Sequence, residues 1–182
     1  MRGDADYDYF DGGTGNDALF SNGGDDDVYG GSGNDVIDGG AGRDYVYGGS
    51  GADKITGGFN GDIVYGGSGK DRFFFKKIDG SPPGDRDTFR AGDGGAAFDK
   101  PGSGAGGDKF DLTGIDANTT AGGNQTFLFG GMGKGHLWLT NSGTKTVVSA
   151  NIDNDAAAEF AFEIEDGSGV LASAYNGSDF FL

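Results

Sequence analysis

A period of nine residues governs the first part of this chain. Eight consecutive nine-residue units fill residues 3–74 without a gap and start at Gly3, Gly12, Ser21, Gly30, Gly39, Gly48, Gly57 and Gly66. The sixth position of every unit is aspartate, and the eighth is always apolar. Glycine dominates the first four positions, although it loses more conformational freedom on folding than any other residue. A flexible linker has no reason to keep that phase, so the repeat predicts an ordered structure stabilised by something outside the chain.

Each unit divides into a turn and a short strand. Positions one to six form a glycine-rich turn that needs positive φ angles, and positions seven to nine form a strand too short to stand alone. In a three-residue strand, the side chain of the middle residue points to one face of the sheet and the side chains of its two neighbours point to the other. The sequence therefore predicts that the eighth residues line the interior: Phe10, Leu19, Val28, Ile37, Val46, Ile55, Val64 and Phe73.

The consensus G-G-x-G-x-D-x-U-x resembles the calcium-binding nonapeptide repeat of the RTX, or hemolysin-type, family. The resemblance implies an all-β fold, a right-handed parallel β-roll in which two units make one coil of 18 residues and give two stacked parallel sheets. It also implies Ca²⁺ as the ligand of the turns.

The spacing of the aspartates supports this cation. Carboxylates 18 residues apart in sequence would lie one strand spacing apart, ~4.8 Å, and would repel each other. Ca²⁺ accepts six to eight oxygen ligands in flexible geometry, whereas Mg²⁺ demands a tighter octahedron. Pairing each unit with the second one after it predicts up to six calcium sites, at Asp8 with Asp26, Asp17 with Asp35, Asp26 with Asp44, Asp35 with Asp53, Asp44 with Asp62, and Asp53 with Asp71.

Backbone carbonyls of the turns are predicted to complete these sites. The turn residues assigned to the metal are Gly12, Gly13, Gly15, Gly30, Gly31, Gly33, Gly39, Gly40, Gly42, Gly48, Gly49, Gly51, Gly57, Gly58, Asn60, Gly66, Gly67 and Gly69. Unit one departs from the consensus with Gly3-Asp4-Ala5-Asp6, and unit three opens with Ser21-Asn22. The Asp8–Asp26 site is therefore expected to be weak or empty, while Asn60 can tolerate a left-handed conformation.

Composition narrows the possible partners. The net charge of −16 disfavours nucleic acid and anionic membranes as partners and suits cations. Without cysteine the chain has neither disulfides nor thiolate metal sites. No apolar run approaches the ~20 residues of a membrane helix, and Met1-Arg2-Gly3-Asp4 lacks the apolar region of a Sec-type signal peptide.

The glycine register ends at "RFFFKKI", residues 72–78, a strand pattern expected to cap the core of the last coil. We place the domain boundary here, with the roll at 1–74 and a C-terminal β cap at 75–182, packed as one continuous unit. Residues 79–107 are rich in Gly, Pro and Ser and predict a long surface loop. Alternating runs separated by turn signals within residues 108–167 predict antiparallel strands.

Residues 71–182 resemble the C-terminal domain of serralysin-type metalloproteases, which also follows other type I exported proteins. The resemblance implies an antiparallel, β-sandwich-like cap. The last residues, Ser178–Leu182, resemble the uncleaved C-terminal signal of type I secretion substrates, an acidic residue followed by apolar ones. The alternative is that this segment forms the last core strand. The segment can serve in both roles if the exporter binds the chain before it folds.

Outward-facing tyrosines form the second feature of the repeat. Position nine of the odd-numbered units gives Tyr29, Tyr47 and Tyr65, which predicts a tyrosine ladder on one sheet. This face either packs against the C-terminal half or an upstream domain, or binds a polysaccharide on an exposed aromatic platform.

No catalytic constellation is apparent in the sequence. The single histidine, His136, cannot form an H-E-x-x-H zinc site, and no G-x-S-x-G elbow occurs. The segment Asn151–Glu159 resembles a calcium loop, but Ala156 stands where an EF-hand requires glycine, which favours ordinary hairpin-turn acids. The chain alone is therefore predicted not to be an enzyme.

The sequence as a whole predicts a secreted bacterial calcium-binding module. Its folding would be triggered by Ca²⁺ after type I secretion through an ABC-type exporter. Two alternatives remain open: a non-catalytic tail of a larger secreted enzyme, such as a metalloprotease, an alginate-modifying enzyme or a phosphatase, and an adhesin or polysaccharide-binding module.

Overall fold

Strands recur with the period of the sequence repeat. The computed structural model describes residues 1–76, 82–90, 107–115, 125–131, 133–153, 157–165 and 172–182. The repeat region forms eight strands: β1 (Tyr9–Asp11), β2 (Ala18–Phe20), β3 (Asp27–Ser32), β4 (Val36–Ala41), β5 (Tyr45–Gly51), β6 (Lys54–Phe59), β7 (Ile63–Gly69) and β8 (Arg72–Phe74).

Strands of alternate units pair in parallel and build two sheets. β1, β3, β5 and β7 follow one another in the first sheet, and β2, β4, β6 and β8 in the second. The register advances by one coil, so that Val28 lies opposite Val46 and Ile37 opposite Ile55. The predicted parallel β-roll with a coil of two units is confirmed.

The eighth residue of every unit lies in the interior, as predicted. These side chains form one column between the two sheets, and none is more than 7% exposed. Burying a branched aliphatic or aromatic side chain contributes ~1.5–3 kcal/mol, but each coil offers only two such side chains. The apolar core of the roll is therefore thin.

The inner strands are longer than the three residues predicted. β3 to β7 each contain six or seven residues, because pairing continues into the first glycines of the following unit. Gly31 pairs with Gly49, and Gly49 with Gly67. Glycine can join this ladder because it adopts a positive φ angle readily and has no side chain to occupy the space between the coils.

The described residues of the C-terminal part add seven strands and two short 3₁₀ helices, Ala172–Ala174 and Gly177–Asp179. The strands are β9 (Thr88–Arg90), β10 (Lys109–Asp111), β11 (Leu128–Phe129), β12 (His136–Ser142), β13 (Lys145–Asn151), β14 (Phe160–Glu165) and β15 (Phe180–Phe181). One sheet has the order β1-β3-β5-β7-β9-β14-β13-β12-β11, and the other the order β15-β10-β8-β6-β4-β2.

The prediction of antiparallel strands is right for the pairing of β12, β13 and β14 with one another. It is wrong for β11, which runs parallel to β12, and for β10. That strand runs parallel to β8 and continues the roll, and β9 does the same beside β7. The predicted surface loop at 79–107 is therefore wrong at Thr88–Arg90. The physical reason is that Phe89 and Phe110 are apolar enough to join the core column, where they are 3% and 0% exposed.

Phenylalanines close the end of the roll, as the pattern "RFFFKKI" predicts. Phe73 packs on Phe89 and Phe110 with ring centroids 4.9 and 5.3 Å apart. Phe75 continues this cluster to Phe162 of β14 at 4.8 Å. Both sheets contain strands from either side of residues 74 and 75. The domain boundary placed there stays a prediction.

The end of the chain forms a strand at the edge of the six-stranded sheet. β15 pairs in parallel with β10, and Phe180 is 5% exposed. Arg72 lies between the rings of Phe74 and Phe181, with its guanidinium carbon 4.8 and 4.3 Å from their centroids. Its guanidinium also forms an ion pair with the buried Asp111.

Candidate metal centre

The turns of the roll use glycine for backbone conformation at positions two and four. Gly31 and Gly49 at position two have φ angles of 99° and 105°, and Gly33 at position four has 131°. Side chains other than glycine rarely adopt such angles, with asparagine as the main exception. Two residues other than glycine adopt a positive φ angle at these positions, Asn22 with 72° and Asn60 with 76°. The prediction for Asn60 is confirmed.

The first glycine of each turn leaves room for two facing oxygen atoms. A Cβ placed on Gly48 would lie 2.5 Å from the carbonyl oxygen of Gly66 and 2.7 Å from Oδ2 of Asp53. The same arrangement recurs one unit earlier, where a Cβ on Gly39 would lie 2.5 Å from the Gly57 oxygen and 2.6 Å from Asp44 Oδ2. A carboxylate oxygen of one coil and a carbonyl oxygen of the next therefore border the same small space.

The repeat aspartates form two ladders, one on each side of the roll. The backbone N–H of each aspartate donates to Oδ1 of the aspartate in the next coil, for example from Asp26 to Asp44 at 2.9 Å and from Asp35 to Asp53 at 2.8 Å. All six predicted pairs are brought together in this way: Asp8 with Asp26, Asp17 with Asp35, Asp26 with Asp44, Asp35 with Asp53, Asp44 with Asp62, and Asp53 with Asp71.

In six of these carboxylates the second oxygen lacks a hydrogen-bond partner. The buried Oδ2 atoms without one include those of Asp17, Asp26, Asp35, Asp44, Asp53 and Asp62. An unpaired buried carboxylate oxygen is costly, and hard cations such as Ca²⁺ bind carboxylate and carbonyl oxygens. The residues present therefore fit a calcium ion. Among the residues described, no three acidic or histidine side chains converge, so such a site depends on backbone carbonyls.

Burial changes the acidity of these carboxyl groups. Desolvation raises the pKa of Asp44 to about 7 and that of Asp53 to about 6, and the carboxylates of the neighbouring coil act in the same direction. The pKa of Asp62 rises to about 10, again chiefly through burial and then through the charge of Asp87. The cause in each case is negative charge held in a poorly solvated turn without a compensating cation.

The first coil differs from the others. Asp8 is only partly buried, and its Oδ2 accepts a hydrogen bond from the N–H of Asp4 at 3.0 Å. Unit three also differs, because it begins with Ser21 where the other units begin with glycine. The hydroxyl of Ser21 donates to the carbonyl of Gly39 in the next coil. The expectation of a weak or empty Asp8–Asp26 site stays a prediction.

The comparisons with known proteins begin with a family model. The model described as "RTX calcium-binding nonapeptide repeat (4 copies)" matches residues 1–28, 20–55 and 38–73. Residues 1–73 belong to the RTX calcium-binding repeat family. The RTX match ends where the glycine register ends, so the resemblance of residues 71–182 to the serralysin C-terminal domain stays a prediction.

Two solved structures are similar in fold to this chain. They are solution structures of the AlgE6R3 and AlgE6R2 subunits of the mannuronan C5-epimerase from Azotobacter vinelandii, which are 20% and 17% identical to it with TM-scores of 0.48 and 0.47. The matches cover 93% and 98% of this chain and 80% and 92% of those chains. A comparison with curated proteins found no match.

Two aspartates outside the matched RTX repeats continue the ladders, and the sequence analysis missed both. The N–H of Asp62 donates to Oδ1 of Asp87 at 3.0 Å, and that of Asp71 to Oδ1 of Asp108 at 2.8 Å. Each is followed two residues later by a buried phenylalanine, as positions six and eight of a unit would be. This pairing of aspartate with an apolar residue was the signal available in the sequence.

Position five of the RTX turns carries a further ladder that the sequence analysis did not identify. The side-chain oxygen of Asn16 accepts from the N–H of Asn34 at 2.7 Å, and that of Asn34 accepts from Ala52 at 2.8 Å. Asp25 does the same for Arg43 at 2.8 Å. These bonds align successive turns and hold their aspartate and carbonyl oxygens in register.

The tyrosine ladder predicted for the odd-numbered sheet is present. Tyr29 stacks on Tyr47 with ring centroids 5.0 Å apart and planes 12° apart, and Tyr47 on Tyr65 at 4.1 Å and 8°. The described C-terminal strands continue this sheet edge to edge through β9. Tyr45, next to the ladder, is 40% exposed. The ladder therefore lies on an outer face of the RTX roll.

The other candidates from the sequence have structural roles. His136 lies in β12, where its Nδ1 is 2.6 Å from the carbonyl oxygen of Gly130. Glu159 accepts a hydrogen bond from the N–H of Ile152 at 2.8 Å, which fits a turn acid. Ala156 lies outside the described residues. No helix in the described part of the chain is both long and apolar enough for a membrane crossing.

Proposed function

We propose that this chain is a secreted module whose folding is switched on by Ca²⁺ after export by an ABC-type exporter. The observation that carries the proposal is the set of buried Oδ2 atoms without a hydrogen-bond donor, of which those of Asp35, Asp44 and Asp53 face a carbonyl oxygen of the next coil. Bound Ca²⁺ supplies the positive charge and the inter-coil contacts that the thin apolar core does not.

The same residues explain why the chain would stay unfolded before export. At low calcium the carboxylates of neighbouring coils repel each other, and the glycine-rich turns gain entropy by opening. An unfolded chain can be threaded through an exporter. In this state Ser178–Leu182, the proposed secretion signal, is not paired with β10 and is accessible.

The calcium concentration at which the chain folds tests this proposal. Extracellular calcium modules bind at ~10⁻⁴–10⁻³ M, so we expect the midpoint of folding, followed by circular dichroism in calcium buffers, to lie in that range. A chain with such a midpoint is unfolded in a calcium-poor cytosol and folded outside. A midpoint below ~10⁻⁶ M would contradict the switch, because the chain would then fold before export.

The half-buried tyrosine ladder on the outer face of the roll favours a second candidate function, the binding of a polysaccharide. Flat aromatic surfaces stack on the apolar faces of sugar rings, and exposed aromatic patches commonly mark interfaces. If this face binds glycans, replacing Tyr29 and Tyr47 together by alanine should weaken binding on a glycan array at least tenfold in calcium.

The matched control for this test is Tyr7→Ala, because Tyr7 is 61% exposed and lies outside the stack. It should leave glycan binding unchanged, and all variants should keep the calcium-dependent circular dichroism spectrum. Equal binding by the double variant and the control would reject the polysaccharide function.

A further inference from the structure

We propose that the calcium-binding ladder continues beyond the matched repeats into a ninth turn, Pro82–Asp87. The proposal rests on the proposed function, since it assigns an additional cation site to the same module. The ligand is a divalent cation with a preference for oxygen ligands.

The ninth turn reproduces the hydrogen bonding of the repeats. Within the roll, the N–H of Asp44 donates to Oδ1 of Asp62 at 2.9 Å, and the N–H of Ile63 donates back to the carbonyl of Asp44 at 2.9 Å. One coil further, the N–H of Asp62 donates to Oδ1 of Asp87 at 3.0 Å, and the N–H of Thr88 donates to the carbonyl of Asp62 at 2.7 Å. Asp87 therefore occupies the sixth position of an additional unit.

A buried carboxylate oxygen marks the space between the seventh and ninth turns. Asp62 is 1% exposed, and its Oδ2 has no hydrogen-bond partner. This atom lies beside Gly57, where a Cβ would be 2.4 Å from it. In the interior coils the equivalent oxygen faces the carbonyl of the following turn, which is where we place the cation of each rung.

The ninth turn supplies oxygen atoms of its own at this junction. A Cβ on Gly61 would lie 2.6 Å from Oδ1 of Asp85 and 3.0 Å from the carbonyl oxygen of Arg86. Asp85 stands at the fourth position of the unit, where the consensus has glycine. The ninth turn thus brings two carboxylates where a consensus turn brings one, and a larger ligand charge raises calcium affinity.

The nearby arginine does not neutralise this cluster. Nε of Arg86 donates to the carbonyl of Pro83 at 2.8 Å, and its Nη1 forms an ion pair with Glu163 at 2.9 Å. The guanidinium is thereby held between one carbonyl of the ninth turn and Glu163 of β14, and it forms neither of these contacts with Asp62 or Asp85. Arg86 therefore does not supply the positive charge that the buried Oδ2 of Asp62 requires, which leaves that role to a cation from solution.

The end of the ladder also has a structural explanation. The N–H of Glu163 donates to the carbonyl of Asp87 at 2.9 Å, so β14 continues the backbone pairing. The residue that precedes Glu163 is Phe162, which contributes no carboxylate and packs in the aromatic cluster. The odd-numbered ladder consequently ends at Asp87.

The even-numbered aspartate ladder also extends past the matched repeats in its hydrogen bonds. The N–H of Asp71 donates to Oδ1 of Asp108 at 2.8 Å, and the N–H of Lys109 donates to the carbonyl of Asp71 at 2.9 Å. The hydrogen-bond pattern of the ninth turn is therefore found on both sides of the roll.

Calcium stoichiometry of the full chain tests the extension. The variants are Asp87→Asn, which keeps the hydrogen-bond acceptor but removes the charge, and Asp85→Asn, which leaves the ladder bond intact. The matched control is Asp11→Asn, an exposed aspartate of β1. We expect equilibrium dialysis to give one fewer calcium ion per chain for Asp87→Asn, an affinity at least tenfold lower for one ion in Asp85→Asn, and wild-type binding for the control.

Each result distinguishes the extension from the proposed function. Wild-type stoichiometry and affinity in both variants would overturn the extension while leaving the calcium switch intact. If Asp87→Asn fails to fold in saturating calcium, Asp85→Asn decides, because its carboxylate accepts no ladder hydrogen bond. A wild-type chain that binds no calcium would overturn the proposed function itself.

Discussion

In EGTA at neutral pH the chain is expected to lose most of its β-sheet circular dichroism signal. The reason is the buried charge of the two aspartate ladders, whose Oδ2 atoms face carbonyls of the next coil. The column of eighth residues contributes two apolar side chains per coil, too few to offset that repulsion and the entropy of the glycine-rich turns. Because Phe73 packs on Phe89 and Phe110, the C-terminal strands should unfold in the same transition.

Protons should replace part of the missing cation in the calcium-free chain. Burial raises the pKa of Asp44 to about 7 and of Asp53 to about 6, whereas both return to ~4 on unfolding. Between these values the folded chain holds more protons than the unfolded chain, so its stability falls as the pH rises from about 4 to about 7. In EGTA we therefore expect more β structure at pH 5 than at pH 8.

Two controls separate calcium binding from general charge screening. Sodium chloride at matched ionic strength screens surface charges but should not restore the spectrum, and Mg²⁺ should restore it poorly because it requires a tighter octahedral site. An unchanged β-sheet spectrum in EGTA at pH 8 would contradict the calcium-dependent fold.

Replacing Gly49 by alanine is expected to be the most damaging single change in the roll. Gly49 has a φ angle of 105°, and a Cβ there would lie 2.0 Å from the carbonyl oxygen of Gly31 in the preceding coil. Real Cβ atoms do not approach backbone so closely, so the two coils must separate. We expect the free energy of unfolding in calcium to fall by about 4 kcal/mol or more, or the chain to remain unfolded.

The matched control is Gly13→Ala, at the same repeat position. Gly13 has a φ angle of 81°, but a Cβ there would meet no atom within 4 Å. This variant should lose only the ~1–2 kcal/mol of left-handed strain, as measured by urea unfolding in saturating calcium. Equal losses in the two variants would mean that φ alone, rather than close contact between coils, explains the glycine.

The repeat region could be predicted from the sequence because the residue type at each key position is set by one physical requirement. Aspartate at position six accepts the N–H of the preceding coil, the residue at position eight fills the core, and glycine or asparagine takes the positive φ angles. Even the exceptions follow this logic, since Asn60 adopts the left-handed conformation expected for it.

The continuation of the roll could not be predicted in the same way. The turn that ends at Asp87 has Pro82, Pro83 and Asp85 where the consensus has glycine, and residues 75–81 interrupt the period. What remains is an aspartate followed by a buried phenylalanine, and so short a pattern is common in unrelated loops. β9 pairs in parallel with β7, and β10 with β8. Both pairings depend on the core of the last coil, a tertiary feature that local periodicity does not encode.

The position of β15 bears on the order in which the molecule matures. Phe180 pairs with Phe110, a partner far away in the chain, and bringing distant segments together is slow compared with stacking neighbouring coils. The carboxyl terminus should therefore join last and remain accessible until the rest of the sheet exists. An antibody against the final residues would then bind molecules that are still folding and lose its epitope when β15 pairs. Antibody binding would therefore report the fraction of molecules that have completed folding.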